Sequence, residues 1–158
     1  MAELFYTILT NTGKAKWAAA IASGTTVNLE EMALGSGLND AYYNPVESQL
    51  TLKTEVWRGQ LSSLSVDIEN PNWIVLEGVV LATVGGFNVR EVGIFDTAGD
   101  MIAIGKFPET YKPSYADGST KDLWVKVYLE VSNTSVVTLA IDPAVAVPTV
   151  QTVNNAVS

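Results

Sequence analysis

Apolar residues along this chain recur at two spacings, and the two divide it unevenly. The clearest period of two is in "DLWVKVYLEVSN". There Leu123, Val125, Val127, Leu129 and Val131 take one face of a strand, and Trp124, Lys126, Tyr128 and Glu130 the other. "WIVLEGVV" carries apolar residues at both parities: Trp73, Val75 and Val79 on one face, Ile74, Leu76 and Val80 on the other. A strand of that kind is covered on both sides, by lying in the middle of a sheet or against a partner chain. "FNVREVGIFD" and "DMIAIGKF" are strands joined through "DTAGD", where Gly99 supplies the positive φ of a hairpin turn.

Helical spacing is confined to "GKAKWAAAIAS". Ala15, Ala18, Ala19 and Ala22 with Trp17 and Ile21 form an apolar-faced helix, Thr10 and Asn11 offer N-cap oxygens, and Gly24 is the stop. A strand, "LFYTIL" (Leu4 to Leu9), precedes it and another, "VNLEEMALG", follows. "SGLNDAYYNPVESQ" reads as loop, although "PVESQLTLK" allows a short second helix with Pro45 near its start. "EVWRGQLSSLSVDIENPNWIVLEGVVL" reads as two strands around the turn "ENPN", and "SVVTLAID" as the hairpin partner of "DLWVKVYLEVSN" across "SNTS". About seven strands and one firm helix predict an α+β fold, mainly antiparallel β. The tail is small and polar except for Val150, Val153 and Val157, whose i, i+3, i+7 spacing begins a heptad seam.

A length of 158 residues suits one domain. With no cysteine and no histidine, disulfides, thiolate metal sites and every Ser-His or Cys-His nucleophile are excluded. A net charge of −8 with nine Lys and Arg in all argues against nucleic acid and anionic membrane as partners. Only 16% of residues are charged while 47% are hydrophobic. That balance points to surface buried between subunits as well as within one. The longest apolar run is interrupted by Glu77 and glycines, too poor for membrane insertion, and the N-terminus has no export signal.

Candidate chemistry is thin. Glu91, Asp96 and Asp100 are carboxylates close in sequence, but "DTAGD" is foremost a hairpin turn without a calcium-loop ladder. Arg90, in an apolar strand, is expected to form a structural ion pair with Glu77 or Glu55, fixing register. Gly85-Gly86 lacks the context of a phosphate loop. Tyr42, Tyr43, Trp57 and Trp124 could stack on sugars, though packing is the more economical role. No catalytic, cofactor-binding or metal residue is assigned.

"GGFNVREVGIFDTAGDMIAIGKFPETYKPS" resembles the hallmark segment of phage tail-collar fibre proteins. "YTILTNTGKAKWAAAIASG", "LTLKTEVWRGQLSSLSVDIENPNWIVLEGVV" and "VYLEVSNTSVVTLAIDPAV" resemble its other parts in order, from about Phe5 to Val145. The resemblance implies a structural virion protein: the N-terminal domain that joins a trimeric fibre to the baseplate of a contractile-tailed phage or tailocin. Host recognition would lie in a distal region absent here. It further implies an attachment domain over 1–143, then a linker and the start of a fibre shaft over 144–158. Partners would be a baseplate protein and two further copies, in a virion tail assembled in the bacterial cytoplasm. Within this frame Phe87, Phe95 and Phe107 are expected to pack the core. "PETYKPS" would be a proline-bounded connector presenting Tyr111 and Lys112 to a partner. A carbohydrate-binding module touching host glycans is the rival reading.

Overall fold

A computed structural model describes residues 6–113, 121–131 and 134–139. Among these, nine strands form two sheets. The larger orders β1 (Thr7–Leu9), β7 (Met101–Lys112), β6 (Phe87–Asp96), β2 (Val27–Gly35) and β3 (Glu55–Gln60), with β9 (Val137–Leu139) also paired to β2. The smaller orders β4 (Ser63–Val66), β5 (Trp73–Val80) and β8 (Leu123–Glu130). All pairings are antiparallel except β2 with β9. The fold is α+β as expected, with one α-helix, α1 (Asn11–Ser23).

The sheets enclose the main core. Met32, Leu34, Val92 and Ile94 of the large sheet meet Ile74, Leu76, Val125, Val127 and Leu129 of the small one. Alternation then gives the large sheet a second apolar face, where Ala33, Phe95, Met101 and Ile104 pack with Leu52 of the 36–54 loop. Phe95 thus packs a core, while Phe87 and Phe107 are partly buried at the edge of the main one. The strict alternation of β8 and the two-sided burial of β5 both match their patterns.

Thr10 caps α1, its hydroxyl accepting from the Gly13 N–H at 2.9 Å. The same hydroxyl donates to the Met101 carbonyl at 2.6 Å, so the cap also fastens the helix to β7. Gly24 closes the helix in the left-handed region, donating to the Ala20 carbonyl. Trp17 and Ala20 carry the helix's buried face into the core.

Three expectations need correction. Residues 45–54 form no helix: the Gln49 N–H reaches the Val46 carbonyl in an isolated turn, and the segment is held by side-chain bonds described below. The segment before "ENPN" is two strands, because the chain leaves the large sheet at Leu61 and enters the small one at Ser63. The segment after "SNTS" does not form a hairpin with β8. A single 3-10 turn (Thr134–Val136) carries it across to the large sheet, where β9 lies parallel to β2 and Val136 and Val137 join the core. Burial of those two valines outweighs the usual preference of neighbouring strands to pair. The boundary at residue 143 and the seam valines Val150, Val153 and Val157 lie outside the described residues.

Gly13 provides a test of the helix docking. Alanine is favoured over glycine inside a helix by about 1 kcal/mol, yet a Cβ here would sit 2.1 Å from the Ile102 carbonyl oxygen. Neither backbone can yield cheaply, and overpacking costs roughly 1–3 kcal/mol or more. Gly13→Ala is therefore expected to lower the urea midpoint; a raised midpoint would overturn the contact.

Candidate functional site

The most concentrated polar chemistry lies under the 36–54 loop, at Glu91. Its side chain is 0% exposed. One carboxylate oxygen accepts from the Tyr43 hydroxyl and from the Lys53 N–H at 3.0 Å. The other accepts from Thr54 N–H at 2.9 Å and Gly37 N–H at 3.2 Å. Gln49 completes the network, donating to the Tyr43 hydroxyl at 2.6 Å and to the Thr51 carbonyl at 2.9 Å. Tyr6 and Tyr42 tie the outside of the loop down, their hydroxyls donating to the Pro45 and Phe107 carbonyls at 3.2 and 3.0 Å.

Local sequence explains why a carboxylate fits here. Glu91 pairs across the sheet with Gly35, and a Cβ on Gly35 would fall 2.2 Å from the Glu91 Oε2. Only a residue without a side chain leaves that space. On the other side of β6, the register with β7 jumps between Val89↔Thr110 and Glu91↔Lys106. Pro108, which has no N–H for the ladder, lies in the bulged stretch.

Arg90 lies at this bulge and pairs with neither Glu77 nor Glu55. Its Nε donates to Glu109 at 3.0 Å and its Nη1 to the Ser36 carbonyl at 2.8 Å, with Asp40 at 4.0 Å. The bulge brings Glu109 within reach, which the regular parity of the sequence could not reveal. Glu55 instead pairs with Arg58 at 2.7 Å.

Asp96 and Asp100 belong to the β6–β7 turn. Asp96 accepts from the Ala98 and Asp100 N–H groups at 3.1 and 3.0 Å, and Lys16 of α1 reaches Asp96 and Asp100 at 2.5 and 2.6 Å. Partial burial acts against the Lys16 charge, but hydrogen bonds to Asp100 and Asp96 prevail and raise its pKa. Among the described residues no cluster of three or more His, Cys, Asp or Glu could hold a metal.

The anticipated connector is strand: β7 continues through Pro108 and Thr110 to Lys112. Lys112 is not presented to a partner, being 2% exposed with Nζ donating to the Val84 carbonyl at 2.7 Å. Alternation puts its neighbour Tyr111 outward, 55% exposed. Of the four candidate stacking aromatics, Tyr42 and Tyr43 are engaged by the loop, Trp57 packs against the core, and Trp124 is 45% exposed. The centre at Glu91 escaped sequence reading, since all four of its hydrogen-bond partners come from loop residues without a period. The signal available was a glutamate at an inward-facing strand position.

A sealed carboxylate met only by donors cannot reach a substrate, so this arrangement holds a loop in shape. Comparison with known proteins is consistent with an architectural role. The sequence model described as "Phage tail-collar fibre protein, N-terminal" matches residues 1–151. The "Probable tail fiber protein" of Escherichia phage P2 is 39% identical over 150 residues, spanning 94% of this chain and 22% of that protein's length. No solved structure matches the chain.

Glu91→Gln would turn an NH2 group toward donors that now meet oxygen. It is expected to cost about 3 kcal/mol in urea denaturation, from unsatisfied N–H groups. Gly35→Ala should be comparably harmful in the native background and far less so beside Glu91→Ala, where its Cβ finds space. Equal costs in both backgrounds would refute the close approach. Tyr43 supplies a pH signature. Burial first, and the Glu91 carboxylate second, raise its phenol pKa, while the Gln49 hydrogen bond opposes them. Stabilisation by the protonated phenol is complete below its ordinary pKa of about 10 and is lost as pH rises from there toward the folded-state value. Native protein should therefore lose more stability between pH 8 and pH 11 than Tyr43→Phe does; equal losses would show that the phenol is not perturbed.

Proposed function

The chain belongs to the phage tail-collar fibre protein family, matched at its N-terminal part over residues 1–151, and from that premise we propose that it attaches a tail fibre to the baseplate. The particle is a contractile-tailed phage or a tailocin, and the domain works as a homotrimer. Its place is the virion tail, reached after assembly in the bacterial cytoplasm. The carrying observation is the family match, reinforced by 39% identity to a probable tail fibre protein. The chain spans 22% of that relative's length, which leaves most of a fibre of that size to other sequence. Host recognition belongs to that remainder.

The physical character of the domain supports attachment over chemistry. Glu91, the most deeply buried carboxylate among the described residues, is enclosed by loop donors, and a domain that docks needs a rigid outline. Tyr111 on β7 is offered to the docking partner in this reading, without Lys112. Residues 1–143 form the attachment unit, and the valine seam at Val150, Val153 and Val157 begins the shaft.

Fibreless tail particles mixed with the purified chain and then pelleted provide the test. Saturable co-sedimentation, together with blocked attachment of complete fibres added later, is expected. Absence of binding at saturating concentration would overturn attachment.

A further inference from the structure

Among the described residues no strand pairs with the outer edge of β8, the last strand of the small sheet. The Val131 N–H donates to the Asn72 carbonyl at 2.8 Å, and the register Ile74↔Leu129 continues that ladder. Odd-numbered residues of β8 therefore turn their backbone groups to β5, and Trp124, Lys126, Tyr128 and Glu130 turn theirs to the free edge. The other side of β5 agrees, because its Trp73 and Glu77 carbonyls accept from Asp67 and Ser62 N–H groups at 2.9 and 2.8 Å. The remaining sheet edges are blunted. β1 and β9 have three residues each and β4 four, while β3 holds Gly59 and a register shift against β2. β8 instead runs eight residues in unbroken register without glycine or proline, the form of edge that templates another strand.

The sheets are also unequal, six strands against three. Where β8 ends the smaller one, an open cleft of about 280 Å³ separates Thr7 of β1, Val92 of β6 and Phe107 of β7 from Lys126, Val127 and Tyr128. Val92 and Val127 are core residues, 2% and 3% exposed, so the cleft opens onto the main core along the seam between the sheets. Small-molecule pockets are deeper cavities of roughly 300–1,000 Å³. An open cleft beside a strand suits side chains delivered one at a time. The backbone groups on the edge recur every second residue, about 6.8 Å apart. A helix, whose own backbone groups are already paired, cannot meet them. An extended polypeptide meets both features: its main chain bonds to the edge, and every second side chain drops toward Val92, Phe107 and Val127. Those side chains must be apolar, and the alternate ones lie outside beside Trp124 and Tyr128.

We propose that an extended segment of the tail protein to which this domain attaches, apolar at alternate positions, adds to β8 as a further strand of the small sheet. The inference rests on the attachment reading and adds to it the mode of docking, in which main-chain bonds give affinity and the cleft gives selectivity. Binding to fibreless tail particles is measured by co-sedimentation. Lys126→Pro deletes an N–H that faces the free edge and none that serves β5. It should weaken binding about tenfold or more, with the native circular dichroism spectrum kept. Lys126→Ala keeps that N–H and should bind as the native chain does. Hydrogen exchange tests the unaltered chain, exchanged in heavy water free or on the particles, then released and read by NMR. Amides of Trp124, Lys126, Tyr128 and Glu130 should exchange fast in the free chain and slowly on the particles. Those of Val125, Val127 and Leu129 should be slow in both. Native binding by Lys126→Pro, or equal losses in the proline and alanine variants, would overturn the proposal. So would edge amides that stay fast on the particles, or that are already slow in the free chain because its own residues cover the edge. In each of these cases the native chain still binds tails and attachment survives, whereas a native chain that never binds removes both.

Discussion

Burying the Glu91 carboxylate sets the terms for everything around it. A buried charge costs several kcal/mol unless its lone pairs are met, and here four donors meet them, all from the 36–54 loop. The loop therefore cannot fray one residue at a time without exposing the cost of the charge. Gly35 beneath it and the bulge around Pro108 beside it are the concessions the two neighbouring strands make to admit this side chain. A loop with little regular structure thereby becomes as fixed as the sheet it covers.

The same strategy recurs at smaller scale around the large sheet. Thr10 fastens α1 to β7 with one hydroxyl used as both donor and acceptor. Lys16 joins the helix to the β6–β7 turn, and Arg90 bridges the bulge to the start of the 36–54 loop. In a domain without disulfides, such polar fasteners give irregular segments a single position, while the apolar layers supply most of the favourable free energy. Membership of a tail-fibre family agrees with this allocation, for a structural part is useful only if its outline is constant.

Periodicity made the fold legible wherever one element met one environment. The inward residues of β8, the two-sided burial of β5, the hairpin at Gly99 and the limits of α1 were all written in local pattern. Reading failed where position depended on distant residues. Val136 and Val137 look like a hairpin strand until the vacancy beside β2 is known, and Lys112 looks like an exposed connector until the alternation of β7 is carried past Pro108. The Glu91 centre was the least legible, because its donors are mostly backbone N–H groups, which every residue possesses. The family resemblance was legible for a different reason: long ordered similarity survives where no single residue is diagnostic.

The parallel pairing of β9 with β2 has a mechanical consequence. Sequence beyond Leu139 is joined covalently to the end of a three-residue strand held to the large sheet, not to the exposed edge of β8. Tension applied at Leu139 acts directly on those three residue pairs and on the seating of Val136 and Val137. The strand thus works as a fuse: pulling tests the junction of β9 with β2 before it tests the integrity of either layer.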